Sequence, residues 1–324
     1  MIPKKLKAGD EVRVLTTARS LAILSKENRM SAVETLQELG LNVSFGAHAE
    51  EADEFASNSI ERRVEDIHAA FSDPHVKMVL PVIGGFNANQ MLNHLDYKLI
   101  KKNPKIFGGF SDNTVLQNAI FTKTGLVTYS SPNFSSFAHP LSMDYTVEYF
   151  IKCLFQDKPY VIAPSKKWDD YSWWKGDRPN ETQNSGFWVI NGGKAEGTIL
   201  GANLNTFGLL QGTEFMPDLR NSVLFFEDDD MSNAATFDRD LQSVIHQPSF
   251  KKVRGIVIGR FEIKSQITRN TITRIIKTKR ELDRIPVVAN VDFGHTNPLI
   301  TFPIGGSVAL DATKEIPNII ITKH

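Results

Sequence analysis

The chain has 324 residues, 37 basic and 37 acidic side chains that balance to zero formal charge, and one cysteine, Cys153. That length suggests about two domains at roughly 150 residues each, and a neutral chain without a basic tract argues against a nucleic-acid polymer as partner while leaving a single bound nucleotide open. A lone thiol excludes an intrachain disulfide and a cysteine-built zinc site, and no run approaches the ~18 apolar residues of a membrane span.

The opening ten residues lack the apolar stretch of a secretory signal, so a cytoplasmic setting is expected. Residues 12–16 predict a strand, 32–39 a helix stopped by Gly40, and 41–45 a second strand. Asn58 and Glu61 have the spacing of a capping box, opening a helix whose apolar stripe is Ile60, Val64, Ile67 and Phe71. Residues 78–83, 105–110 and 126–129 read as short buried strands separated by helices. This rhythm implies a mostly parallel sheet with helices on both faces, a Rossmann-like or flavodoxin-like α/β domain. In such folds the functional crevice lies beyond the carboxyl ends of the strands, where Gly84-Gly85 and Ser111 both fall.

Between about 159 and 193 the pattern breaks into a loop rich in Trp, Asp, Asn, Gly and Pro. Strands are then predicted at 198–204, 223–226, 255–258, 287–291 and 318–322, with one helix at 234–246. More strands and fewer helices suggest a compact β-rich α/β unit. The expected division is 1–160 for a nucleophile-bearing α/β domain, 161–193 for an aromatic-rich linker and substrate loop, and 194–324 for the smaller second domain.

The stretch Lys105-Ile-Phe-Gly-Gly-Phe-Ser-Asp-Asn-Thr114 turns an apolar strand through a serine into a helix. Ser111 there is either a nucleophile on a tight corner or a helix cap. Gly109-Phe-Ser-Asp-Asn113 lacks the second glycine of G-x-S-x-G, so the local sequence alone favours the cap. Glu227-Asp-Asp-Asp230 has an alternative reading as a metal loop, which the missing Asp/Asn and Gly spacing of an EF-hand disfavours. Asp228 to Asp230 are expected to carry a turn and favour the next helix N-terminus.

Taken together, Pro81-Val-Ile-Gly-Gly-Phe-Asn-Ala-Asn-Gln90, the Ser111 stretch, Leu224-Phe-Phe-Glu-Asp228 and Val291-Asp-Phe-Gly-His-Thr-Asn-Pro298 resemble the LD-carboxypeptidase family of serine peptidases. The resemblance implies a barrel-like, swivelling second domain and a triad of Ser111 as nucleophile, His295 as base and Glu227 as the group that orients it. It also implies an oxyanion hole made by the backbone N–H groups of Gly85 and Asp112, and neither metal nor cofactor.

The family includes enzymes that trim an L,D-peptide bond of murein peptides and enzymes that cleave aminoacyl or peptidyl nucleotides. Residues 168–193 look most like the branch containing the microcin C immunity protein, in which a loop tryptophan stacks on the nucleobase. Trp173 or Trp174 is the expected platform, and Asn203 or Asn205 of Gly201-Ala-Asn-Leu-Asn-Thr-Phe207 is expected to line the pocket. The same aromatics also suit domain packing or a dimer face. Expected partners are therefore a small peptide or aminoacyl-nucleotide and a second copy of the chain, and the competing functions are a murein tetrapeptide carboxypeptidase and a binder without turnover.

Overall fold

The computed structural model of the protein describes residues 1–141 and 143–324. Strands β1 (Glu11–Leu15), β2 (Asn42–Phe45), β3 (Val76–Pro81) and β4 (Ile106–Phe107) form an all-parallel sheet in the order β2-β1-β3-β4. The crossovers carry helices α1 (Lys26–Glu38), α2 (Ile60–Ser72) and α3 (Tyr97–Lys102), and α4 (Thr114–Thr124) follows β4. Helix α2 begins one residue later than its capping signal suggested. The Ser59 side chain accepts from Arg62 N, whereas the buried Asn58 amide is spent on the carbonyl of His48 at 2.7 Å.

After β5 (Thr128–Ser130) and helix α5 (Asp144–Leu154), the chain builds β6 (Tyr160–Ile162), β7 (Lys167–Trp168), β8 (Thr182–Gln183), β9 (Trp188–Asn191) and β10 (Lys194–Asn203). Then come α6 (Leu204–Gly208), β11 (Ser222–Glu227), α7 (Ala234–Ile245), β12 (Gly255–Gly259), α8 (Arg269–Lys277) and β13 (Val287–Val291). Finally β14 (Phe302–Ile304), β15 (Ser307–Asp311) and β16 (Asn318–Lys323) close the chain. Eight of these strands form a mixed sheet, β6-β16-β15-β10-β11-β12-β13-β9, whose centre from β10 to β13 is parallel.

Two expectations change. The segment 126–129 reads as part of the N-terminal parallel sheet, yet β5 pairs antiparallel with β14, starting at Ser130↔Phe302, so its partner comes from a stretch remote in sequence.

 The central pair of that ladder is Tyr129↔Pro303. The segment expected as an open loop between 159 and 193 supplies both edges of the eight-stranded sheet, β6 on β16 and β9 on β13, because each edge strand borrows its pairing from a partner remote in sequence.

Helix α4 fixes the N-terminal sheet against this second sheet. Asn118 donates to Gly201 O at 2.8 Å, and the backbone N–H of Asn203 donates to Thr114 Oγ1 at 3.1 Å. Adjacent Phe225 and Phe226 on β11 point to opposite faces, as a strand requires, and enter different apolar clusters, each of which also takes residues from the N-terminal sheet. The carboxyl ends of β4 and β11 are held in register by this packing. Among the described residues no helix is long and apolar enough to cross a membrane.

Candidate active site

Ser111 opens a single turn of 3-10 helix leading into α4, and its backbone sits at φ +64°. A non-glycine residue in that region is strained, which is the signature of a serine pushed out at a strand-to-helix corner. Buried amides hold the corner. Gln117 Nε2 donates to Gly109 O at 2.6 Å and to Tyr129 O at 2.7 Å, while Asn113 donates to Phe110 O at 3.1 Å and accepts from Thr17 Oγ1 at 2.6 Å.

The Gly84-Gly85 turn lies directly against the serine. A Cβ on Gly84 would stand 2.9 Å from Ser111 Oγ and 3.6 Å from Asp112 N, and one on Gly85 would stand 2.8 Å from Ala18 Cβ. Only glycine lets the two backbones approach this closely. The Asp112 side chain ties the turn down by accepting from Ala88 N at 2.9 Å. Burial raises its pKa, against the backbone donors of Ala88 and Asn87 and the cations Arg63 and Arg19.

Three neighbouring parallel strands end at the opposite wall: β11 delivers Glu227, β12 runs into Arg260 and Glu262, and β13 leads to His295. His295 Nε2 lies 3.1 Å from Ser111 Oγ, and Nδ1 lies 2.7 Å from Glu227 Oε2. The Glu227 side chain is only 2% exposed. Room for it comes from Gly259 and Gly294, where a Cβ would stand 2.7 Å from Glu227 Cβ and 2.6 Å from its Oε2 respectively. Phe110 covers the imidazole, with ring centroids 5.2 Å apart. Burial works against the imidazolium, but Glu227, joined by Glu262 and Asp229, outweighs it and pushes His295 up to about 10. Glu262 is itself pushed up to about 8, chiefly by burial and by the nearby Asp230, Asp170 and Asp229, with His295 opposing.

The remaining acids of the 227–230 run diverge. Asp228 is buried and pushed up to about 7 by burial, Glu227 and Asp229. Asp229 shapes the turn by accepting from Met231 N at 3.0 Å, and Asp230 pairs with Lys264 at 2.5 Å. None of them caps α7, which opens at Asn233 in a reciprocal capping box with Thr236. No group of three or more His, Cys, Asp or Glu side chains is placed to hold a metal ion among the described residues.

The expected substrate residues have different surroundings. Trp173 is half-buried, edge-on to His139 with centroids 5.9 Å apart, while Trp174 is 62% exposed and edge-on to Trp173. Asn203 caps α6 by accepting from Thr206 N at 2.9 Å and donates to Asp228 Oδ1 at 3.3 Å, so its amide is already engaged. Asn205 is likewise engaged, by Asp240 at 3.2 Å on α7. Sequence reasoning missed Glu262; its signal was an acid just past a fully apolar strand that neighbours the Glu227 strand.

A serine on a strained corner, aligned on a histidine and a buried carboxylate across two α/β sheets, is the arrangement of a serine hydrolase. The chain belongs to the LD-carboxypeptidase family: the N-terminal domain model of that family matches residues 12–131 and the C-terminal domain model residues 196–310, which makes it a serine peptidase. It is 49% identical to YocD of Bacillus subtilis over the whole of both chains, a protein bearing a provisional carboxypeptidase name. It is 31% identical to the microcin C7 self-immunity protein MccF of Escherichia coli, over 100% of this chain and 96% of that one. MccF has been solved with aspartyl sulfamoyl adenosine, at a TM-score of 0.89 to this fold over 100% of this chain and 99% of that one. An MccF-like protein of Bacillus anthracis superposes at a TM-score of 0.98, with 48% identity and both chains covered in full.

Proposed function

We propose that this serine peptidase uses Ser111, His295 and Glu227 to cleave the acyl linkage of a peptidyl- or aminoacyl-nucleotide. The observation that carries the chemistry is the unbroken line from the strained Ser111 Oγ through both nitrogens of His295 to Glu227 Oε2, 3.1 and 2.7 Å. Neutral His295 takes the hydroxyl proton at Nε2 as Oγ bonds to the carbonyl carbon. The substrate carbonyl oxygen, which takes the electron pair of the C=O bond and becomes an anion, is received by the N–H groups of Gly85 and Asp112. As the tetrahedral intermediate collapses, the imidazolium returns the proton to the departing atom, and the same steps with water in place of serine release the acyl group. Glu227 holds the Nδ1–H and so fixes the tautomer in which Nε2 is free to accept.

The nucleotide is supported by the tryptophan-rich loop beside the site, since an indole face stacks a base without any basic surface, and by full-length similarity to MccF, whose solved complex contains an aminoacyl nucleoside analogue. The family name supports a second reading, removal of a terminal residue across an L,D-peptide bond. Calorimetry on Ser111→Ala separates the two: a non-hydrolysed aminoacyl adenylate analogue should bind tighter than a murein tetrapeptide, and the reverse preference would assign the protein to the murein reaction.

A further inference from the structure

His295 is bracketed in sequence by two residues that are bonded to the aromatic segment. Three positions before it, Asp292 is completely buried and collects an unusual set of donors. Its Oδ1 accepts from Arg260 Nη1 at 2.6 Å and Ser165 Oγ at 2.8 Å, and its Oδ2 accepts from Ser165 N at 2.9 Å and Tyr145 OH at 3.3 Å. Asn184 Nδ2 reaches both oxygens at 3.4 and 3.5 Å. Ser165 and Asn184 are the two feet of the segment whose tip carries Trp173 and Trp174, and they are further joined by a bond of 3.1 Å. Two positions after His295, Asn297 forms a two-way backbone bridge with Asp169 of the same segment, 2.8 Å in each direction. The Arg260 guanidinium also lies under Trp168 at 5.1 Å.

A carboxylate and guanidinium at 0% and 2% exposure are costly to bury unless their bonds are complete. This one completes its bonds with the feet of the loop. We infer that Asp292 is a positioning residue: it and the Asp169–Asn297 bridge lock the stretch carrying His295 to the aromatic segment, so that seating of the loop sets the angle of the imidazole towards Ser111. The inference rests on His295 being the base, and extends that reading from the reacting atoms to the loop. Its consequence is that the loop governs the rate of the chemical step and is more than a surface on which substrate rests.

The test removes the loop's side-chain bonds to the hub and leaves the Arg260–Asp292 pair and the backbone bonds of residues 165 and 169 in place. In Ser165→Ala/Asn184→Ala the rate at which a small fluorophosphonate modifies Ser111 should fall about tenfold. For a short acyl ester without a base, kcat should fall by the same factor while KM stays within twofold. An unchanged labelling rate and kcat, with only a raised KM for an aminoacyl-nucleotide analogue, would make the loop a binding surface and overturn the inference. Asn184→Ala alone, at a half-buried position, gives a second reading if the double variant loses its near-ultraviolet circular dichroism: labelling slowed about threefold supports the lock, and an unchanged rate removes it. Labelling does not depend on which acyl compound is the natural substrate, so failure of the nucleotide reading leaves the test intact. Persistent labelling of Ser111→Ala, by contrast, would remove the serine mechanism itself.

Discussion

The corner around Ser111 and the segment from Ser165 to Phe187 meet at one site but are built on different principles. The corner is a strained serine caged by buried Asn113, Gln117 and Asp112, with glycines wherever a Cβ would collide. The segment has two-residue strands and a tip that ends in an exposed indole; polar bonds hold its feet, and Tyr171 and Trp173 turn inward. Rigid packing serves the step that needs sub-ångström placement. A loop tethered at its feet can hold the stretch carrying His295 while its tip stays free to vary.

That contrast can be broken most forcefully on the rigid side. Ser111→Ala and His295→Ala should each lower kcat by roughly five to six orders of magnitude on every acyl substrate, and the double variant should be little worse than either, because they act as one proton-transfer unit. A double variant that loses the product of the two single factors would show two independent catalysts. Glu227→Gln comes next, with a loss of roughly 10³- to 10⁴-fold as the tautomer is no longer fixed. It should also move the pH profile. The base works only when neutral, so activity rises with pH through the histidine's folded pKa; with that value pushed up, the acid limb of kcat/KM belongs on the alkaline side of 6.5. Removing the carboxylate takes away the strongest raising influence and leaves burial opposed only by Glu262 and Asp229, so the limb should travel towards acid; a pH series on the residual activity of the variant that shows no such movement would take Glu227 out of its role. The smallest effect sits on the loop. Trp173→Ala or Trp174→Ala should weaken an aminoacyl adenylate analogue by about 1–3 kcal/mol, some five- to 150-fold, and leave the affinity for base-free acyl compounds alone. Equal weakening of both ligands in calorimetry would mean that the tryptophans support the fold of the site and do not read the base.

What the sequence made legible divides along the same line. Glu227 ends an apolar strand and Ser111 and His295 each follow one by four residues, so a local pattern of strand and turn places them near carboxyl ends of strands, while their roles rest on the resemblance of the motifs taken together. The sheet edges were not legible. Trp188–Asn191 and Tyr160–Ile162 lie in a stretch dominated by turn formers and become strands only because β13 and β16 offer them ladders. The same holds for Thr128–Ser130, whose partner lies at Phe302–Ile304. The surroundings of Asn203 and Asn205 were hidden for a related reason: an amide's hydrogen-bonding capacity is visible in sequence, but Thr206, Asp228 and Asp240, which engage it here, are not visibly its neighbours. The Asp292 hub gave no sequence signal at all, since Arg260, Ser165 and Asn184 converge on it from three separate stretches.

The aromatic segment leaves the eight-stranded sheet at β6, one edge, and rejoins it at β9, the other. Its two ends are thus pinned by main-chain ladders and its feet by a buried carboxylate, whereas residues 172–183 between them carry no part of the central sheet. Because lengthening a loop between fixed ends costs little, only a logarithmic term in chain length, this tip can be rewritten or exchanged as a cassette without rebuilding the enzyme beneath it. Within one hydrolytic framework, new acyl substrates are most cheaply acquired by changing these dozen residues.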